Sequence, residues 1–303
     1  MVRAMAPAET LDHHTEAAAR GADSEARAPS GGAVSESTAP GSAGPGGGLF
    51  DRLPLSGSVI AITADRRRDE LAGLLQEQGA RTVETPTVRL SSGDEAVVAR
   101  RAGDRAAAVR FVEAVLRRDV HAVTFTSAPG VTGLLEAAAV SGSLDQLLAA
   151  LREDVLPVCL GPACARPLEA VGVPGCSAEK PRFGSLVEAL CLHLPPRIRR
   201  EVRVDASSTL VLQGFSAVIG SHAVILPPLP AAVLAELARR PGWVVSRAEL
   251  LRRVWDGRDA RGGAGRDEHA VEATVARLRT ALGPAAGLVK TVTKRGYRLA
   301  VEP

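Results

Sequence analysis

From residue 58 to residue 194 the chain alternates short apolar runs with helical patterns, and this alternation restricts its fold more than any other feature. "SVIAITA" (58–64), "ARTVETPTVRL" (80–90), "HAVTFTS" (121–127), "VLPVCLG" (155–161) and "GCSAEKP" (175–181) read as strands. Between and after them, 66–79, 103–118, 130–142, 144–153 and 183–194 carry amphipathic or small-residue helical patterns, with a short helix from Pro162. A strand apolar on both sides must be covered on both faces, which implies a parallel sheet between two helical layers. Only 3% of residues are aromatic, so Ala, Val and Leu must fill the core.

Five strands in one such run fit a flavodoxin-like α/β lobe, assigned to residues 51–194. Residues 1–50, rich in Ala, Gly, Ser and Pro, read as a disordered tail. "LPPRIRREV" (194–202) is Pro- and Arg-rich, and 195–203 reads as a linker. Over 204–303 the pattern becomes α+β. Short strands in 208–228 are broken at Gly214 and Gly220, and helices follow over 229–242 and 246–255. A longer helix spans 266–283, and a hairpin closes the chain. Ser246 with Glu249 three residues on has the form of a capping box. Charge divides along the same line: residues 197–303 hold 18 Lys+Arg against 10 Asp+Glu, a net of +8, while the whole chain is +3. A basic third joined to an acidic remainder suggests a polyanionic partner.

On a helical wheel of 266–283, Val271, Val275, Leu278 and Leu282 share one face. Arg266, His269, Ala273, Arg277 and Thr280 lie opposite. Small and cationic residues on an outward face suit a DNA major groove. The hairpin "VKTVTKRGYRL" (289–299) has Gly296 as a turn former and Lys294 and Arg295 at its tip. Helix, turn, capped helix, cationic helix and hairpin make a helix-turn-helix with a wing. The segments "PGWVVSRAELLRRVW", "AVEATVARLRTALG" and "LVKTVTKRGYRL" resemble the winged-helix domain of OmpR/PhoB-type response regulators. That resemblance implies a double-stranded DNA partner. It implies base-facing Thr274 and Arg277, with Arg279 nearer the phosphates, and backbone-approaching Arg247 and Trp255. Thr291 and Tyr297 would then meet phosphate, and Lys294 and Arg295 the minor groove. For Trp255 and Tyr297, plain core packing stays open. Ala276 stands where that family is often basic.

The lobe lacks what a phosphate-accepting receiver needs: its first strand runs into "TADRRR" and its third into "FTSAPG". It resembles uroporphyrinogen-III synthase instead, on "VIAITADRRRDELAGLLQEQGARTVETPTVRL", "VHAVTFTSAPGVTGLLEAA" and "VLPVCLGPACARPLEAVGV". That family closes hydroxymethylbilane, without a cofactor, in a cleft between two α/β lobes, one inserted in the other. Here the insertion point falls on the short stretch 91–103, too little chain for a lobe. The cleft Tyr of that family has no counterpart, since Tyr297, in the wing, is the only Tyr. The resemblance puts Thr63, Thr126 and Ser127 at cleft-facing positions, where they would bind a ligand or merely cap the next helices.

No catalytic set, metal cluster or phosphate loop emerges. Cys159, Cys164, Cys176 and Cys191 lack metal spacing and read as buried free thiols in a reducing compartment. No apolar run is long enough for a membrane span and no apolar leader is evident, so the expected location is the cytoplasm. The expected protein is a DNA-binding transcriptional regulator. Its lobe acts as sensor or dimerisation module, and a homodimer and a small-molecule ligand are left open. The alternative is a synthase fused to a regulator.

Overall fold

In the computed structural model, which describes residues 49–64, 66–84, 95–256 and 267–302, the chain begins with a short helix α1 (Leu49–Arg52). An alternating series follows: β1 (Val59–Ile62), α2 (Arg68–Glu77), β2 (Arg81–Glu84), α3 (Glu95–Leu116), β3 (Ala122–Phe125), α4 (Ala128–Val140) and α5 (Leu144–Glu153). It ends with β4 (Leu156–Cys159), α6 (Pro162–Ala170), β5 (Cys176–Ser177) and α7 (Phe183–His193). The five strands are all parallel in the order β2-β1-β3-β4-β5, the flavodoxin-like arrangement. Every residue of β1, β3 and β4 is buried, as strands covered on both faces must be. The tail of residues 1–50 falls almost wholly outside the described residues, as does much of the expected second strand.

The stretch read as a linker is structured. Pro195–Ile198 forms a helical turn, α8, and Arg199–Arg203 forms β6, paired antiparallel along its length with β7 (Thr209–Gln213). Four of the five residues of β6 are charged, which hides an edge strand from a search for apolar alternation. With β8 (Ser216–Ile219) and β9 (His222–Ile225) these strands complete a four-stranded meander. Then come α9 (Pro228–Leu237), α10 (Arg247–Leu250) running into a π-helical turn Leu251–Trp255, α11 (Glu268–Leu282), and the hairpin β10 (Val289–Val292) and β11 (Gly296–Leu299). This is a winged helix. Half of the expected capping box forms: Ser246 Oγ accepts from the Glu249 amide at 3.1 Å, while the Glu249 carboxylate turns to Arg253 at 2.6 Å.

Gly296 is not the turn former. The hairpin loop is Thr293–Arg295, and its left-handed residue is Lys294, at φ 61°. Gly296 stands in β11 at φ 137°, where a Cβ would lie 2.1 Å from the Val245 carbonyl oxygen. It is glycine because the backbone before α10 presses against it.

The four-stranded sheet is fastened to the α/β lobe. The Gln213 side-chain amide, wholly buried, donates to the carbonyls of Pro54 at 2.9 Å and Ser56 at 2.8 Å. The Phe215 amide donates to Gly57 O at 2.8 Å. Gly214 packs so tightly on this backbone that an added Cβ would sit 2.4 Å from Gly57 O. The His121 ring lies 4.3 Å from that of Phe215, and its Nδ1 accepts from the Val59 amide at 3.0 Å. One continuous cluster of buried apolar side chains runs from Val123 and Phe125 of the lobe through Leu212 and Phe215 to Leu278 and Leu282 of α11.

The four thiols are free. Cys159 and Cys164 are buried, but Cys176 and Cys191 are only half-buried. Hydrogen bonding to Cys164, together with burial, pushes the Cys159 thiol far above its ordinary range, while the same bond lowers that of Cys164.

Removing the fastening amide should be felt by the whole chain. Gln213→Ala leaves the buried Ser56 carbonyl and the half-buried Pro54 carbonyl without this donor and should lower stability by about 1–3 kcal/mol. Calorimetric melting should show the loss, and an unchanged melting curve would mean that the joint contributes nothing.

Candidate nucleic-acid interface

Helix α11 starts at Asp267, whose carboxylate accepts from the His269 amide at 3.1 Å. Its inward face buries Val271, Val275, Leu278 and Leu282, each worth roughly 1.5–3 kcal/mol in transfer from water. That burial fixes which residues face out: His269, Glu272, Ala273, Ala276, Arg277 and Thr280.

Thr274 does not face out. It is 1% exposed, and its hydroxyl donates to the Ala270 carbonyl at 2.8 Å. Its wheel position adjoins the Val271–Val275 stripe, and a small hydroxyl that can bond the preceding turn is tolerated there. Arg277, by contrast, extends outward, touching Thr274 only at 3.4 Å. Arg266 lies outside the described residues.

Four of the expected contact residues, Arg247, Arg279, Thr291 and Tyr297, form one assembly. Tyr297 is 4% exposed, and its backbone exchanges hydrogen bonds with Val245 at 2.8 and 3.0 Å. The guanidinium of Arg247 lies 5.2 Å from its ring centroid and that of Arg279 5.9 Å. Arg279 also donates to the Val289 carbonyl at 3.1 and 2.8 Å and to Thr291 Oγ1 at 2.8 Å, tying α11 to the wing. Arg247 bonds Glu272 at 2.8 Å, and this bond raises the guanidinium pKa above its ordinary value. Trp255, at 5% exposure, packs in the same core. Both aromatic rings thus take the packing alternative.

The wing presents the free cations. Lys294 and Arg295 are exposed at the tip. Lys290 and Arg298, which sequence reading passed over, face each other across β10 and β11, and both are exposed. Like charges directly opposite are unfavourable unless an anion meets them. The strand register, readable from the alternation in 289–299, was the signal for this pair.

In the lobe, Thr63, Thr126 and Ser127 do come together, lining a cavity of about 610 Å³ at the carboxyl ends of β1 and β3. Thr63 Oγ1 donates to the Thr124 carbonyl at 2.7 Å, and Ser127 caps α4, accepting from Gly130 N at 3.4 Å. Structural bonds thus engage two of the three hydroxyls. Arg66, Arg67 and Arg182 line the same space. Arg67, in the left-handed region at φ 56°, pairs with Glu70 at 2.5 Å and lies 5.2 Å from the Phe183 ring centroid. The N-termini of α2, α4 and α7 open onto the cavity, and their dipoles reinforce its positive character.

A family model described as uroporphyrinogen-III synthase HemD matches residues 9–188, and one described as transcriptional regulatory protein, C terminal, matches 221–299. The transcriptional regulatory protein AfsQ1 of Streptomyces coelicolor is 32% identical over 158 residues, covering 49% of this chain and 68% of AfsQ1. CseB of Streptomyces avermitilis, also a transcriptional regulatory protein, is 37% identical over 87 residues, covering 29% of this chain and 34% of CseB. Among solved structures, the DNA-binding domain of CpxR from E. coli is 27% identical, covering 34% of this chain and 99% of that one, at a TM-score of 0.28. Among the described residues no helix is long and apolar enough to cross a membrane.

The two arginines of α11 should separate in experiment. Arg279→Ala breaks three hydrogen bonds and should lower the melting temperature, by about 1.5–3 kcal/mol of stability. Arg277→Ala should leave melting unchanged and weaken DNA binding. Equal melting losses would contradict the division of roles.

Proposed function

We propose, for a chain that belongs to the uroporphyrinogen-III synthase HemD family and carries the C-terminal domain of transcriptional regulatory proteins, a DNA-binding transcriptional regulator whose α/β lobe senses a small anionic ligand. The observation that carries the DNA reading is the alignment of outward His269, Arg277, Lys294 and Arg295 on a scaffold whose opposite side is core. Arg277 with the small Ala273 and Ala276 reads bases, and the wing tip meets phosphate. Arg247, Arg279, Thr291 and Tyr297 hold these two elements in register. The functional boundaries are a lobe over 51–194 and a DNA-binding module that begins with β6 at Arg199 rather than at 204. A cytoplasmic location and a homodimer accompany this reading.

For the lobe, the cavity with Thr63, Thr126, Ser127 and three arginines supports a ligand carrying carboxylates or phosphates. The second reading, a working synthase, is favoured by the family match over 9–188. Against it, ten residues (85–94) separate β2 from α3, too few for a second lobe to enclose a large anionic substrate.

Two measurements test these readings. In fluorescence anisotropy with a labelled duplex, affinity should fall steeply with salt. Lys294→Ala/Arg295→Ala should make the log–log slope shallower by about two, one for each phosphate that the removed cations would neutralise. Absence of binding at low salt by folded protein would overturn the regulator. Incubated with hydroxymethylbilane, the protein should yield no type III isomer above the uncatalysed reaction, and its formation would restore the synthase.

A further inference from the structure

A second cavity, separate from that of the lobe, lies in the joint between lobe and DNA-binding module. It has a volume of about 190 Å³. The loop after α3 contributes Arg118 and His121, the connection from α8 into β6 contributes Arg197, Arg199 and Arg200, and α9 closes it with Ala231, Ala232 and Ala235. Four arginines line it, and Asp154 is its only lining carboxylate. Asp154 is engaged by Arg118 at 2.9 Å, and Arg199 is paired with Glu201 at 2.7 Å. Arg200 is different. In the register of β6 with β7 it stands opposite Leu212 and shares a sheet face with Val202. Both of those residues are buried, but Arg200 itself is exposed, so it stands at the rim of the cavity with its charge open to solvent. No ion pair or hydrogen bond engages Arg200 among the described residues. Arg118 takes the left-handed conformation, φ 53°, as the residue that closes α3, its amide donating to Val115 O and that of Asp119 to Ala114 O, both at 3.0 Å.

We propose that this cavity binds a small oxyanion, which bridges Arg200 to the Arg118–Asp154 pair and so ties the lobe to the DNA-binding module. Apolar walls at Leu212, Phe215 and Leu226 strengthen any charge interaction inside. Guanidinium groups present paired donors that match phosphate and carboxylate oxygens. Size narrows the ligand: sites for drug-sized molecules run to about 300–1,000 Å³. A space of about 190 Å³ suits inorganic phosphate or a short dicarboxylate. The inference goes beyond the DNA-binding reading and is tested without DNA.

The experiment uses the full chain. Calorimetric titration and thermal melting are run with inorganic phosphate and with malonate, against chloride at matched ionic strength. Saturable binding and a rise in melting temperature are expected for one or both oxyanions, and the comparison tells which chemistry the site takes. Arg200→Ala should weaken binding about tenfold or more, and Arg200→Lys should recover part of it. Ala232→Leu, which fills the cavity without changing charge, should abolish the response. Should that variant fail to fold, the Arg200 pair decides alone. Lys180→Ala, at an exposed cation that lines neither cavity, should leave the response intact. No saturable response in the unaltered chain overturns the proposal. So does a response that survives Arg200→Ala or disappears with Lys180→Ala.

Discussion

The contact between the backbones of Gly57 and Gly214 sets the arrangement of everything around it. It brings the turn between β7 and β8 against the loop that feeds β1, closer than any side chain would allow. Once these strands of chain touch, the Gln213 amide reaches two lobe carbonyls, Phe215 bonds Gly57 and stacks near His121, and the lobe core continues into the DNA-binding module. A buried amide makes such bonds only when both carbonyls stand where it points, since an unmet buried polar group costs about as much as a bond contributes. The joint therefore specifies one geometry.

The same logic, on a smaller scale, governs the wing. Tyr297 receives Arg247 from the first helix of the motif and Arg279 from α11, while its backbone holds Val245. Three elements distant in sequence meet on one ring. Arginines that sequence resemblance places at the DNA are thus occupied with positioning. In the proposed reading, contact with DNA falls to the exposed Lys294 and Arg295 of the wing tip and to Arg277. Glu272, an exposed carboxylate on the outward face of α11, is paired with Arg247. The surface stays cationic although a carboxylate stands on it.

The parallel lobe was legible because buried strands declare themselves by continuous apolar runs, and the helices of the winged module by the Val271–Leu282 stripe and the cap at Ser246. What stayed hidden followed from context. The charges of β6 disguised a strand that only pairing with β7 defines. Thr274 lay at the border of two faces, where 100° per residue does not decide, and the Ala270 carbonyl settled it. Gly296 looked like a turn residue because the backbone of Val245 that crowds it is remote in sequence. Two of the three arginines of the lobe cavity, Arg66 and Arg67, were visible in "RRR" but had no meaning until α2 and α7 were seen to open at the same place.

These features constrain how a ligand in the lobe could reach the DNA. Only Pro195–Ile198 separates α7 from β6, and that turn is itself helical and packed against α7. A flexible tether that lets the module swing free is therefore absent among the described residues. Any effect of the lobe on DNA binding must pass through the joint or through the arrangement of copies of the chain. Of these, the joint already has a two-sided character. Gln213 and the Gly57–Gly214 contact hold one side of the sheet by hydrogen bonds, whereas on the other side the exposed Arg200 shares a cavity with Arg118 and Arg199, each paired with a carboxylate. With one side closed by the bonds of the Gln213 amide nitrogen and arginines lining the other, the proposed oxyanion site would make the stability of the joint depend on which ions are present. That dependence gives the lobe a means of acting on the DNA-binding module without altering the shape of either.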